Sequence, residues 1–271
     1  MAVVTRLYPV GESWPAESTA PLPGLYLSHR LYRPERPRPL VYGSFLMSLD
    51  GRIAMEEGGL MTTPSTIRNA NDWRLLQELH AQADCLITHG AYLRELQAGL
   101  IGNLLQVREP DLIDWRRQQG LPDQPAIAIA SASLDFSLPD SLLAQGQPVH
   151  LFTGLSADPL RVARWQGRGF TVRQAGTGRL VQGRALVAAL GALGYRSLYL
   201  LSGPLMLGTM LQERVLERLY LTQVLQLVGG QHVRTLGDGI VSGQAGTLQL
   251  QELYLDQEVG QLLACYAARP D

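Results

Sequence analysis

The runs AIAIA (126–130) and LYLL (198–201) are apolar at every position. A strand with one face in water alternates apolar and polar residues, so an unbroken run needs cover on both faces. A mostly parallel sheet with helices on each side meets that need. The neighbouring sequence supplies the parts. VYGSFLMS (41–48), ADCLIT (83–88), AIAIAS (126–131), PVHLFT (148–153), FTVRQ (170–174) and SLYLLS (197–202) read as strands. Between them STIRNANDWRLLQELHAQ (65–82), DPLRVARWQGRG (158–169) and GRALVAALGALG (183–194) carry a helical period.

The last third changes texture. ERLYLTQVLQLV, GTLQLQELYLD and GQLLACYAAR are strand-like runs, and no helix separates the final two. Antiparallel pairing is the natural arrangement there, which gives a mixed sheet, parallel in the centre with antiparallel C-terminal strands. The first 39 residues are rich in Pro and Tyr without a sustained period, and read as an irregular lead-in packed on the surface. From residue 40 to 271 no repeat, low-complexity tract or Ser/Gly linker interrupts the pattern, so one domain is expected.

Composition narrows the function. Apolar residues make up 46% of the chain and charged ones 17%, as a packed fold requires. The 23 Lys and Arg nearly cancel the 24 Asp and Glu, so no global basic field exists to attract nucleic acid or a membrane surface. Cys85 and Cys265 lie in apolar runs without C-x-x-C spacing, and the five histidines never stand at metal-ligand spacing, so no metal site is expected. No stretch has the length of a membrane span or the layout of a secretory signal, which makes the cytoplasm the expected location. The dinucleotide fingerprint G-x-G-x-x-G, the P-loop and the G-x-S-x-G elbow are all missing.

Three junctions after expected strands remain, where ligands of open α/β sheets bind. At the first, Ser48 and Asp50 put a hydroxyl and a carboxylate on one side of an extended backbone, beside Gly51. Asp-Gly is also among the commonest turn dipeptides, and alone the pair reads as a turn. At the second, Ser202-Gly203-Pro204 opens an apolar helix whose unpaired N–H groups could meet an anion; tight strand-to-helix packing explains it equally well. The third is Thr88-His89-Gly90, followed by Tyr92 and Arg94, where a solvated or locally bonded histidine is the plainer alternative.

The three junctions in this order resemble a known family. SFLMSLDGRIA resembles the N-S-x-D-G-[KR]-I-A strand of the reductase domain of riboflavin biosynthesis. LLQELHAQADCLITHGAYLR is similar to that family's Leu-Arg-Ala-x-x-Asp-Ala segment, and SLYLLSGPLMLGTMLQERVLERLYLTQVLQLVGG to its Glu-Gly-Gly-Pro segment and later Gly-Gly. The likeness runs from Pro39 to the C-terminus, as in stand-alone members without a deaminase domain.

The resemblance implies a three-layer α/β/α, dihydrofolate-reductase-like fold. It also implies NADPH-dependent reduction of the ribosyl group of a phosphoribosylamino-pyrimidine, by hydride transfer to C1′. Ser202, Gly203 and Pro204 would then meet the cofactor's phosphates. Thr88, Gly90 and Tyr92 would line the cofactor, with Ser131 and Thr153 on its adenosine side. Ser48 and Asp50 would lie near the nicotinamide and substrate, with Gly51, Arg52 and Thr62 facing the substrate and the segment after Gly51 forming a mobile loop. A homodimer built on the C-terminal strands is also implied, with QLLACYAAR as an apolar edge.

The chain departs from the family at several points. The acid of Thr-Val-x-x-Asp-Asn-Pro has no counterpart in AYLRELQAGLIGN, where Glu95 is the nearest acid and the candidate replacement. His80, Thr88-His89, Tyr92 and Leu201 stand at other altered positions. These changes keep two alternatives open: a catalytically degenerate nucleotide-binding protein of the same fold, and an interaction subunit without ligand.

Overall fold

The protein is described by a computed structural model that covers residues 2–9, 18–144, 146–241 and 247–268. In chain order the first elements are β1 (Val3–Tyr8), β2 (Thr19–Pro21), β3 (Leu40–Ser48), β4 (Arg52–Glu57), β5 (Leu60–Thr62) and α1 (Ala70–Ala81). There follow β6 (Cys85–His89), α2 (Gly90–Gln97), α3 (Pro110–Gln118), β7 (Ala126–Ala130), α4 (Asp140–Leu143), β8 (Val149–Thr153), α5 (Pro159–Gly167), β9 (Val172–Gln174), α6 (Gly183–Ala192) and β10 (Ser197–Leu200). The chain closes with α7 (Pro204–Gln212), β11 (Arg218–Val224), β12 (Val233–Thr235), β13 (Leu248–Asp256) and β14 (Gln261–Ala268). The expected α/β class holds, with parallel strands in the middle of the chain and antiparallel ones towards its end.

The elements form two compact units. One comprises Met1–Arg30, Tyr42–Leu79 and Gly203–Asp271; the other comprises Leu31–Val41 and His80–Ser202. In the second unit β10, β6, β7, β8 and β9 run parallel in that order. All residues of β7 and β10 are buried, which is what their unbroken apolar runs demanded. Ile127 and Ile129 have no exposed surface, and burial of each such side chain contributes about 1.5–3 kcal/mol. Arg116 of α3, a helix the periodicity reading passed over, is fully buried because its guanidinium donates to the carbonyls of Ala81, Ala83 and Pro122 at 2.9, 2.6 and 2.7 Å.

In the first unit β3 and β11 are parallel, while β11, β14, β13, β1 and β2 pair antiparallel in succession. Three expectations change here. Inside the stretch read as irregular, Val3–Tyr8 and Thr19–Pro21 are strands, and Thr5 pairs with Leu255 and Arg6 with Tyr254. Partners so far apart in sequence leave no local signal. Strand β14 is bonded to β11 on one side and β13 on the other, so it offers no edge for a dimer. The segment after Gly51 is a hairpin: β4 and β5 pair across Gly58-Gly59, both at positive φ as a two-residue turn needs, and β12 completes a three-stranded sheet.

Candidate active site

In the first unit, the carboxyl end of β3 is locked to the chain that follows β11. Ser48 is buried, and its hydroxyl donates to Asp50 Oδ1 at 2.5 Å while accepting the Arg52 N–H at 3.0 Å. The Gly51 N–H closes the turn onto the Ser48 carbonyl at 2.9 Å, with φ +80, a conformation that glycine alone adopts without strain. Asp50 Oδ1 accepts the Val228 N–H at 3.1 Å and Oδ2 the Gly229 N–H at 2.8 Å. The Ser48 hydroxyl and these two N–H groups hold the Asp50 carboxyl down at about 2. Asp50 is therefore an anion at neutral pH, and it fixes backbone. Arg52 Nε stands 3.6 Å from Asp50 Oδ2, while the Thr62 hydroxyl accepts from Arg68 at 3.0 Å.

A second carboxylate of this unit has the opposite character. Asn69 Oδ1 accepts the Asp72 N–H at 2.8 Å and so starts α1, and its amide reaches Gln261 at 2.9 Å. Asn71 donates to Asp256 at 2.8 Å. Asn69 and Asn71 thus pin the start of the helix just ahead of Asp72. Burial pushes the Asp72 carboxyl up to about 6, against the Thr222 hydroxyl bond that favours the anion. Leu46 pairs with Thr222 and Ser48 with Val224, so Thr222 and Ser48 project from the same face.

Also in this unit, Gly203 caps α7 with φ −72 and ψ −177, and Pro204 is the first helical residue. A methyl group built on Gly203 meets nothing within 4 Å. The fold itself does not require glycine there. A surface depression of about 380 Å³ lies elsewhere, lined by Met55, Glu56, Gly58, Gly59, Gln231 and His232. None of the expected site residues lines it.

In the second unit, the carboxyl ends of the parallel strands carry Thr88, Ser131 and Thr153. Thr88 and Thr153 are 1% exposed, and their hydroxyls have no partner. Thr88 pairs with Ile129, Ile129 with Leu151, and Thr153 stands two residues beyond, so both hydroxyls lie on one face of the sheet. Ser131 is occupied, accepting the Leu134 N–H at 3.0 Å. A methyl group on Gly90 would come within 2.7 Å of Ser131 Oγ, so this glycine permits close packing of α2. Tyr92 ties down its own loop: its hydroxyl donates to Gly102 O at 3.1 Å, accepts the Leu104 N–H at 2.6 Å, and is pushed up to about 12 by burial. His89 Nδ1 accepts the Tyr92 N–H at 3.2 Å, and burial lowers its proton affinity. Ser202 lies in the loop after β10, and Glu95 on α2.

The model of the RibD C-terminal domain matches residues 39–259. The chain belongs to the RibD C-terminal domain family. No curated protein matches it in sequence. Among solved structures, it is similar to a pyrimidine reductase-like protein from Corynebacterium diphtheriae, with 18% identity and TM-score 0.66 over 86% of this chain and 93% of that one. It is similar to RibD of Acinetobacter baumannii at 16% identity and TM-score 0.62, over 86% of this chain and 59% of that longer one. The riboflavin biosynthesis reductase of Saccharomyces cerevisiae aligns at 13% identity and TM-score 0.59, covering 91% of this chain and 99% of that one. At such identities these likenesses speak for the fold.

Within this RibD C-terminal domain, the structure brings Ser48, Asp50, Gly51 and Arg52 together. Gly203 and Pro204 belong to the same unit, and Thr62 lies at the far end of β5. Thr88, Gly90, Tyr92, Glu95, Ser131, Thr153 and Ser202 belong to the other unit. Asp72 was passed over in the sequence because it looked like one more polar residue of an amphipathic helix. Its signal, an acid in the first turn behind an Asn cap, is common. Among the described residues no group of three or more potential metal ligands exists, and no helix is long and apolar enough to cross a membrane.

Proposed function

We propose that this protein is an NADPH-dependent reductase of the riboflavin-pathway type, acting on the ribosylamino group of a phosphoribosylamino-pyrimidine or a related heterocycle. The observation that carries the reading is the pair of buried, partnerless hydroxyls of Thr88 and Thr153 at strand carboxyl ends, within a RibD C-terminal domain. Leaving such a group unmet costs about 1–3 kcal/mol, and a bound polar ligand removes that cost. The open backbone at Gly203, ahead of the α7 N-terminus, fits a pyrophosphate. Within the second unit, Thr88, Thr153 and Ser202 would hold the cofactor, which would supply the hydride. Ser48 and Asp50 would keep the 228–229 backbone in place beside the substrate. A homodimer and a cytoplasmic location belong to the same proposal.

The second reading, a nucleotide-binding protein without turnover, is favoured by one observation. Tyr92 is spent on its own loop, and the family's acid is missing nearby. Titrating NADPH while following its fluorescence, then adding the phosphoribosylamino-pyrimidine, separates the two. Binding with oxidation of NADPH supports the reductase, and binding without oxidation supports the second reading. Absence of binding at millimolar NADPH refutes both.

A further inference from the structure

We infer that Arg179 receives the 2′-phosphate of the cofactor and so sets a preference for NADPH over NADH. The inference rests on the nucleotide half of the reductase reading and adds the residue that selects between the two cofactors.

Residues 159–212 hold seven arginines and neither Asp nor Glu. The first part of this stretch folds in the second unit around β9, an outermost strand bonded only to β8. Beyond β9 the chain makes a tight loop, 175–182, closed by the Gln182 N–H donating to the Ala175 carbonyl at 2.8 Å. Two bonds fix this loop to the carboxyl end of β8. The Ala175 N–H donates to the Thr153 carbonyl at 2.8 Å, and the Ser156 N–H to the Gly178 carbonyl at 3.3 Å. Gly154 makes room for it, since a methyl group there would run into the Gly178 and Arg179 carbonyls. Arg179 is thus presented from an anchored loop, at the end of the sheet where ligands of parallel strands bind. It is exposed, and its side chain has no hydrogen bond or ion pair among the described residues.

The other arginines of the stretch are engaged or stand elsewhere. Arg161 pairs with Asp135 at 2.8 Å and Asp158 at 3.6 Å, which also offsets the charge of those two acids towards an incoming anion. Arg168 lies over the Trp165 ring at 4.7 Å, Arg196 donates to the Gly191 and Tyr195 carbonyls, and Arg184 has a partner of its own. Arg164 is on the second turn of α5, which joins two parallel strands and so runs away from their carboxyl ends. Arg173 is the middle residue of β9.

Two features fit a nucleotide rather than a free phosphate. Leu155 and Leu180, next in the chain to Gly154 and Arg179, are 55% and 69% exposed, and such apolar surface suits the face of a purine. The Thr153 hydroxyl, buried and partnerless, ends the strand to which the loop is tied. A phosphate monoester carries about 1.5–2 negative charges at neutral pH and matches the two-pronged fork of a guanidinium. NADH has a hydroxyl at the same position and offers no charge.

The test compares wild type with Arg179→Leu and Arg179→Lys by fluorescence titration of NADPH and NADH, and by calorimetry with 2′,5′-ADP, 5′-AMP and inorganic phosphate. Wild type binds NADPH more tightly than NADH, and 2′,5′-ADP more tightly than 5′-AMP. Arg179→Leu weakens NADPH and 2′,5′-ADP binding roughly 10–100-fold, the range of a charge-assisted pair, and leaves NADH and 5′-AMP unchanged. Arg179→Lys keeps part of the preference, because it keeps the charge and loses the fork. Wild type without a preference, or a loss in Arg179→Leu that is equal for NADPH and NADH, overturns the assignment while the nucleotide reading stands. Inorganic phosphate binding that Arg179→Leu abolishes, without any effect on nucleotides, makes this a site for the free anion and overturns the assignment too. NADPH bound with the expected preference but never oxidised leaves Arg179 in its role and overturns the reductase reading alone. No nucleotide binding by wild type overturns both.

Discussion

Replacing Asp72 by Asn should make the protein more stable at neutral and alkaline pH, and the gain should vanish in acid. Burial raises the folded-state proton affinity from an ordinary 3.8 to about 6. A raised carboxyl binds its proton more tightly in the folded chain than in the unfolded one. Its contribution to stability is thus fully present below about pH 4 and lost as pH rises through about 6. Each tenfold change in proton affinity corresponds to about 1.4 kcal/mol, so the full displacement is worth about 3 kcal/mol. Asp72 keeps some surface, solvent screens part of the effect, and about 2 kcal/mol is the expected figure. Asn fills the same volume and can bond Thr222 without ever ionising. Urea denaturation of both proteins between about pH 4 and pH 8 reads the difference directly. A stability gap that opens with rising pH in favour of Asp72→Asn is the expected result. A gap independent of pH, or one that favours wild type at pH 8, would refute the burial argument.

Thr88→Val and Thr153→Val should each stabilise the ligand-free protein by about 1–2 kcal/mol, because a methyl replaces an unmet buried hydroxyl, and should weaken NADPH binding; thermal melts and fluorescence titration check both. Gly203→Ala should leave the melting temperature unchanged but lower NADPH affinity, since only a bound phosphate needs that space; Gly208→Ala, which would drive a methyl into the Gly239 carbonyl, should destabilise the fold in the same melts. Asp50→Asn should release the backbone after β11, read as faster hydrogen exchange at the Val228 and Gly229 amides. The anchoring by Asp50 is present above about pH 4 and is lost as pH falls through about 2, so acid should produce the same release in wild type.

Local chemistry was legible in the sequence, and long-range partnership was not. The unbroken apolar runs at Ala126–Ala130 and Leu198–Leu201 announce strands covered on both faces, and the helices of α1, α5 and α6 keep their period. Helix starts moved inwards where a side chain caps them: Asp158 accepts the Leu160 N–H, and Asn69 begins α1 at Ala70. Ser48 and Asp50 could be seen as a pair because they are two residues apart. That Asp50 would be consumed by Val228 and Gly229, some 180 residues away, could not be seen. Asp72 was invisible for the same reason, since Thr222 lies 150 residues downstream. The Gly58-Gly59 hairpin carries its turn signal in two adjacent glycines at positive φ. The apolar run of β14 reads as an edge for a dimer, and only its pairing with β11 on one side and β13 on the other shows that it lies inside the sheet.

The most direct test of the reductase proposal is a single-turnover mixture of the protein, NADPH and the phosphoribosylamino-pyrimidine, with NADPH labelled by deuterium at the transferred position. The account predicts loss of reduced-nicotinamide absorbance and deuterium at C1′ of a ribityl product. Bound NADPH that stays reduced, with the substrate recovered unlabelled, would contradict it.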